Sequence, residues 1–306
     1  MKYSYILFLL FITISTSIAQ KVKPALNLKK GNTYYMISSA NSAIVQTLNS
    51  EENTLNLTFT FKMAFKVIDI KDTVYNMEVS YQSIDMKIQT GGKSIELNSL
   101  KPDSLDIPSS FMAAMMNKPF NITLTKRGKV QSVDNIEKII NSVFDEFPKI
   151  DQTKKEQLKK QFMQSFGADA FRGSLEMGTA IFPSGAVSKD EKWTIHTNME
   201  APTKADVQTV YQLTDITPDF YLIHGDGTLA TDKNAKPGEI NGMPMKYDLN
   251  GSLLTDIKVN RNTGWISEVK LKQIMKGSIE IQDNPQLPGG MTIPMTFNTD
   301  IITTDK

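Results

Sequence analysis

The chain has 306 residues, 40% of them hydrophobic, with 34 basic against 33 acidic side chains and no Cys. A near-neutral balance without a basic stripe excludes an electrostatic footprint for nucleic acid or an anionic membrane surface. The lack of Cys removes disulfides, thiol nucleophiles and thiolate metal sites, and the length suffices for one large core or two smaller ones.

Residues 1–19, MKYSYILFLLFITISTSIA, place one Lys before the apolar run Tyr5 to Ile12 and finish with Ser17 and Ala19. That order predicts a secretory signal peptide cleaved before Gln20, its apolar core too short to span a bilayer. Lys2 is its only charged residue, so the mature chain is formally neutral. No Cys follows to accept a lipid anchor, and no later stretch is long and apolar enough to span. The expectation is a soluble exported protein, periplasmic or extracellular, neither lipid-anchored nor membrane-spanning.

From Leu55 to Val67 the odd positions are apolar and most even ones are polar, which predicts a strand of about 43 Å with one wet face. In the strand after it, Tyr75, Met77, Val79 and Tyr81 hold the apolar set on odd numbers, whereas Ile84, Met86 and Ile88 move it to even ones. A one-residue slip would turn every later side chain to the wrong face, so a β-bulge is expected around Gln82 and Ser83.

Much of this pattern recurs. FKVIDIKDTVYNM (65–77) matches YQLTDITPDFYLI (211–223) at an offset of 146, setting Asp69 against Asp215. KKGNTYYMISS corresponds to SKDEKWTIHTN, with Tyr34 opposite Trp193. Two hairpins, FNITLTKRGKVQSV and DIKVNRNTGWISEV, follow in the same order, with Gly128 and Gly264 supplying the positive φ of each turn. One supersecondary unit copied once accounts for these aligned blocks.

Between the copies the periodicity changes. Ile136, Ile139, Ile140, Val143, Phe144 and Phe147 predict a helix capped by Asp134, with Glu137 three residues on, and stopped by Pro148. A second helix is expected over 153–166 with Gly167 as terminator, and a third over 168–178. SSFMAAMM (109–116) reads as a short helix capped by Ser109 or Ser110, and the Gly/Pro/Asn-rich stretch 231–244 as a mobile loop. The architecture expected is α+β: two duplicated, antiparallel, curved β-sheet units (20–133 and 181–306) with a central group of amphipathic helices (134–180) packed on them.

Chemistry is sparse. Of the two His, His196 should face solvent, opposite Trp193 and Ile195. His224 precedes Gly225-Asp226-Gly227, either a glycine-softened strand or half of a His/Asp hydrolytic pair for which no third partner is visible. No nucleophile elbow, zincin helix, P-loop or dinucleotide fingerprint occurs, so no catalytic residue, metal or cofactor is assigned. Met stands above background at 16 residues, and Met112, Met115 and Met116 gather beside Phe111. Flexible thioethers suit an apolar ligand of irregular shape, and these four residues are the candidate ligand site; ordinary core filling by a helix turn is the competing reading.

The blocks LNLKKGNTYY, NKPFNITLTKRGKVQSVDNIEKII and AIFPSGAVSKDEKW resemble a family of exported Bacteroidota proteins, domain of unknown function 6263. Lys30, Gly31 and Tyr34 fit its opening motif, while Lys189-Asp190 stands where the family favours Gly-Asp before the Trp strand. The resemblance implies export and a shared fold and carries over no catalytic residues. Three functions follow in order: a non-enzymatic protein binding a lipid-like or other apolar small molecule between sheet and helices; an interaction or structural module for another envelope protein; and, last, a hydrolase.

Overall fold

The computed structural model of the chain describes residues 21–48, 50–102, 107–148, 150–200, 203–232, 237–240, 243–285 and 287–306. The expected signal segment lies outside them. In chain order the first part holds β1 (Thr33–Leu48), β2 (Glu51–Lys71), β3 (Val74–Thr90), β4 (Lys93–Asn98), α1 (Ile107–Met115), β5 (Phe120–Thr125) and β6 (Val130–Asp134). The helices α2 (Ile136–Asp145), α3 (Gln152–Phe166) and α4 (Ala168–Thr179) come next. The rest is β7 (Lys192–Met199), β8 (Ala205–Ile216), β9 (Phe220–Thr231), β10 (Gly238–Ile240), β11 (Met243–Asn260), β12 (Ile266–Ile281) and β13 (Met291–Thr304).

The expected pair of sheets is one sheet, and the α+β label gives way to a mostly-β one: 58% antiparallel sheet against 17% helix. Its order is β6-β5-β3-β2-β1-β13-β12-β11-β9-β8-β7, with β4 on β3 and β10 on β11. The joint is β13. It pairs with β1 from Ile37↔Thr304 to Gln46↔Met295 and with β12 from Glu268↔Thr304 to Ile281↔Met291, fusing what would otherwise be two edges. The sheet is curved and open.

The phase slip in β3 is a bulge. Lys62 lies opposite Ser83 and Met63 opposite Tyr81, leaving Gln82 as the extra residue. Tyr81 and Ile84 are consequently both buried on the inner face despite the odd-to-even change. Further irregularities fall at matching places: the register skips Ile68 between Val67 and Asp69, and Thr214 between Leu213 and Asp215. In the two Gly hairpins it skips Gln131 and Ser267.

Ion pairs match as well. Lys30 Nζ lies 2.9 Å from Asp69 Oδ1, and Lys189 Nζ 3.0 Å from Asp215 Oδ1. Gly31 and Asp190, each at positive φ, donate their amides to the Val67 and Leu213 carbonyls. The hydrogen bond from each Lys holds its Asp below the ordinary carboxylate value. A depressed folded value contributes stability above the unfolded value of about 3.9 and loses it as pH falls through the folded one. In Lys189→Met the Asp215 titration followed by NMR should move up while Asp69 stays; an unmoved Asp215 would remove Lys189 as the cause.

The helices differ from expectation mainly at their starts. Asp134 does not cap α2: it ends β6 and accepts from Ser132 Oγ at 2.9 Å, while Asn135, at φ 72, turns the chain into the helix. Ser109 lies inside α1, where its Oγ accepts from the Asn98 amide at 3.1 Å. Asp151 caps α3, accepting from the Thr153 and Lys154 amides. Gly167 ends α3 in extended rather than left-handed backbone, and a side chain there would overlap the Met163 carbonyl. The stretch 231–244 also departs from a plain loop, because Gly238–Ile240 forms a hairpin with Met243–Met245; residues 233–236 and 241–242 lie outside the described ones.

Helix α4 packs against both outermost strands, β6 and β7. Glu176 Oε1 accepts from the Val130 amide at 2.8 Å, Thr179 Oγ1 donates to the Gly128 carbonyl at 2.7 Å, and Trp193 Nε1 donates to the Ile181 carbonyl just past the helix at 2.8 Å. Glu176 thereby takes up an edge amide of β6, and the helix lies along the outer edge of both strands. At the end where the Gly hairpins turn, the N-terminal strand-like segment crosses the opening. Val22 pairs with Val187, the Leu26 amide donates to Lys126, and the Asn27 amide to Thr263. Buried Leu26 and Leu28 complete that end of the core.

Candidate functional site

Small side chains leave room inside the curl. Along the inner face of β1, Ser38, Ala40 and Ser42 alternate, and Ser38 and Ser42 exchange hydroxyl hydrogen bonds with Thr303 (2.9 Å) and Thr299 (2.8 Å) of β13. Of these only Ala40 lines the space below α3 and α4, and its single methyl leaves that part of the wall low. The result is a cavity of about 1310 Å³.

Its sheet wall consists of Met36 and Ala40 of β1, Leu57, Phe59, Phe61 and Met63 of β2, and Tyr81 and Met86 of β3. Met163 and Phe166 of α3 and Phe171 and Leu175 of α4 roof it, and Met245 and Tyr247 of β11 extend it toward the far end. Charged lining residues keep to the outside: Lys160, Asp169, Lys204 and Asp232 are exposed, and Glu200 and Lys246 half-exposed. Glu200 and Lys204 pair at 3.3 Å, and Asp169 pairs with Arg172 at 3.5 Å. The interior is thus apolar with a mixed-charge mouth.

The four residues singled out from sequence sit elsewhere. Phe111, Met112 and Met115 are buried in the core and Met116 is half-buried beside them; none lines the cavity. The Phe111 ring lies 4.1 Å from Phe144 and 4.4 Å from Phe147, between centroids. The methionines that do line it, Met36, Met63, Met86, Met163 and Met245, are scattered along the chain. For the strand residues the available signal was inward alternation, which Met63 and Met86 both obey.

His196 is exposed, on the face opposite Trp193 and Ile195. His224 meets Asp256, its register partner on β11, at 2.8 Å between Nδ1 and Oδ1, and not Asp226. This pair projects from the outer face, whereas Gly225 and Gly227 face inward, where a side chain would press on Tyr211 and on Thr209 and Leu253. Among the described residues no three His, Cys, Asp or Glu side chains gather as a metal site, and no helix is long and apolar enough to cross a membrane.

Fold and cavity together define a mostly-β scaffold: an open antiparallel sheet, curled around an apolar space and spanned edge to edge by a helix. The chain belongs to the Family of unknown function (DUF6263), whose pattern matches residues 72–266. A comparison with curated proteins finds no match. Among solved structures, one described as lipid-protein interactions in lipovitellin is similar at a TM-score of 0.49 and 8% identity, over 92% of this chain and 26% of that one. This chain therefore spans about a quarter of that protein's length. An outer-membrane channel from Pseudomonas putida F1 is similar at a TM-score of 0.24 and 6% identity, over 91% and 97% of the two chains. The translocator domain of the autotransporter NalP from Neisseria meningitidis follows at 0.22 and 5%, over 91% and 90%. All three similarities are weak.

Proposed function

We propose that this is an exported, non-enzymatic protein that holds an apolar, lipid-like molecule between its sheet and its helices, in the periplasm or outside the cell. The cavity carries the reading. At about 1310 Å³ it exceeds the roughly 300–1,000 Å³ usual for small-molecule sites; its sheet wall is mainly aliphatic, aromatic and thioether, while Gln161, Gln164, Ser165, Ser174 and Thr203 join the charged residues in the rest of the lining. Five methionines give those walls side chains that adapt to irregular shapes. Export rests on the Lys, apolar and small-residue order of residues 1–19. The matching bulges and ion pairs of the two halves support an origin by doubling of one unit, with α4 bridging the outer edge of one copy to that of the other.

The test is native mass spectrometry of protein purified from its own envelope, followed by lipid extraction. A copurifying lipid is expected from the wild type. In Ala40→Trp, which puts an indole into the space, its recovery should fall several-fold with the melting temperature maintained. A wild type that emerges empty, or a filled variant that carries as much lipid, would overturn the reading. The interaction-module alternative keeps β4 and β10 as edges for a partner's strand, while α4 lies against the two outermost strands, β6 and β7. Hydrolysis would have to start from His224 and Asp256, an exposed pair outside the cavity.

A further inference from the structure

Two tyrosine hydroxyls at the cavity wall meet no hydrogen-bond partner among the described residues, Tyr81 beneath the helices and Tyr247 toward the far end. Tyr81 is 8% exposed and stands between the rings of Phe120 and Phe166 at 6.1 and 6.2 Å. Among the described residues no hydrogen bond reaches its hydroxyl, whereas Tyr75, buried in the core, donates to the Leu26 carbonyl at 2.8 Å. The Tyr81 hydroxyl is not sealed in the core but opens onto the cavity, so it can donate to whatever occupies that space. The bulge at Gln82 sets Tyr81 on the inner face directly opposite Met63. Irregularities of this kind commonly re-aim a side chain toward a site.

Burial alone pushes the Tyr81 phenol up, so it stays neutral and able to donate throughout the physiological range. The ionised lining residues are those of the mouth, exposed or half-exposed. An anionic group beside Tyr81 would therefore lose its water without gaining a cation. Resting on the apolar-ligand reading above, we infer that the cavity takes an extended apolar molecule with an uncharged acceptor oxygen, an ester, ketone or alcohol, to which the Tyr81 hydroxyl donates. Tyr81 is then the residue that separates an oxygen-bearing lipid from a bare hydrocarbon and from a free carboxylate.

The experiment displaces the neutral fluorophore N-phenyl-1-naphthylamine from the full chain, wild type and Tyr81→Phe, with dodecane, 1-dodecanol, methyl dodecanoate and dodecanoate at neutral pH. In the wild type the alcohol and ester should act at concentrations roughly two- to ten-fold below the alkane, the net worth of one hydrogen bond. Dodecanoate should be the weakest of the three oxygen-bearing probes. In Tyr81→Phe the advantage over dodecane should shrink to about one-fold, with fluorophore binding retained. Equal displacement by alkane and alcohol in the wild type, an advantage that survives in Tyr81→Phe, or a preference for dodecanoate would each overturn the inference and leave apolar binding standing. Failure of the fluorophore to bind either protein would instead remove the apolar-ligand reading on which the inference depends.

Discussion

Phe111→Ala should cost the fold about 3–5 kcal/mol in urea denaturation and leave fluorophore binding unchanged wherever the variant remains folded. The ring is fully buried, and Phe144, Phe147 and Phe162 surround it with centroids 4.1, 4.4 and 5.7 Å away. Truncation removes the transfer energy of the ring, the aromatic contacts, and the packing of neighbours that cannot all collapse into the void. Because α1 contributes no residue to the cavity wall, the hole opens between α1, α2 and α3, away from the ligand space. The measurement separates the two readings of the Met-rich helix. Lost binding in a variant whose near-ultraviolet circular dichroism is native would return Phe111 and its Met neighbours to the site.

That separation could not be made from sequence, and the reason is physical. Met112, Met115 and Met116 are conspicuous because they are adjacent in the chain, and adjacency on an amphipathic helix is what a core-facing stripe produces. The cavity methionines come from three β1-to-β3 strands, from α3 and from β11, and only folding brings them to one space. Emptiness has even less of a local signature. Ser38, Ala40 and Ser42 read as a weak strand, and nothing in them tells that β13 will set Thr303, Ile301 and Thr299 opposite them.

Periodicity served better where the information was local. The alternation from Leu55 to Val67 marks the inner face of β2, and the odd-to-even change between Tyr81 and Ile84 locates the bulge to the residue. The failures are also local in origin. Asp134 and Glu137 have the spacing of a capping box, yet Asp134 is already committed to the β5–β6 ladder opposite Asn121, so Asn135 makes the turn instead. The largest error, two sheets for one, came from a non-local fact: alternation declares that 291–304 can be a strand but never which strands it will join.

The two hairpin glycines give the sharpest stability prediction, because two costs of a side chain can be told apart. Gly128 has φ +79, Gly264 +65 and Gly91 +53, so an Ala at any of them meets the left-handed penalty of about 1–2 kcal/mol. At Gly91, in the β3–β4 turn, nothing lies within 4 Å of the added carbon, and the conformational penalty should be the whole effect. At Gly128 the added carbon would overlap the Thr179 carbonyl, and at Gly264 that of Ala25. Neither obstacle is a flexible side chain: the Thr179 carbonyl accepts from the Ile181 amide, and Ala25 precedes Leu26 and Asn27, whose amides are bonded to Lys126 and Thr263.

Relief at Gly128 therefore requires the hairpin to leave α4, which breaks the buried bond from Thr179 Oγ1 to the Gly128 carbonyl and loosens that from the Val130 amide to Glu176. An unmet buried acceptor adds about 1–3 kcal/mol to the conformational cost. Gly128→Ala should then lose about 2–5 kcal/mol where Gly91→Ala loses about 1–2. Hydrogen exchange adds a positional readout: the Val130 amide should lose protection in Gly128→Ala, and the Leu26 and Asn27 amides in Gly264→Ala, since those hold the N-terminal segment across the closed end. Equal losses at Gly128 and Gly91, with Val130 still protected, would mean that the seam between α4 and β6 yields freely. In that case the helix would merely rest on the sheet edge rather than tie the curl shut.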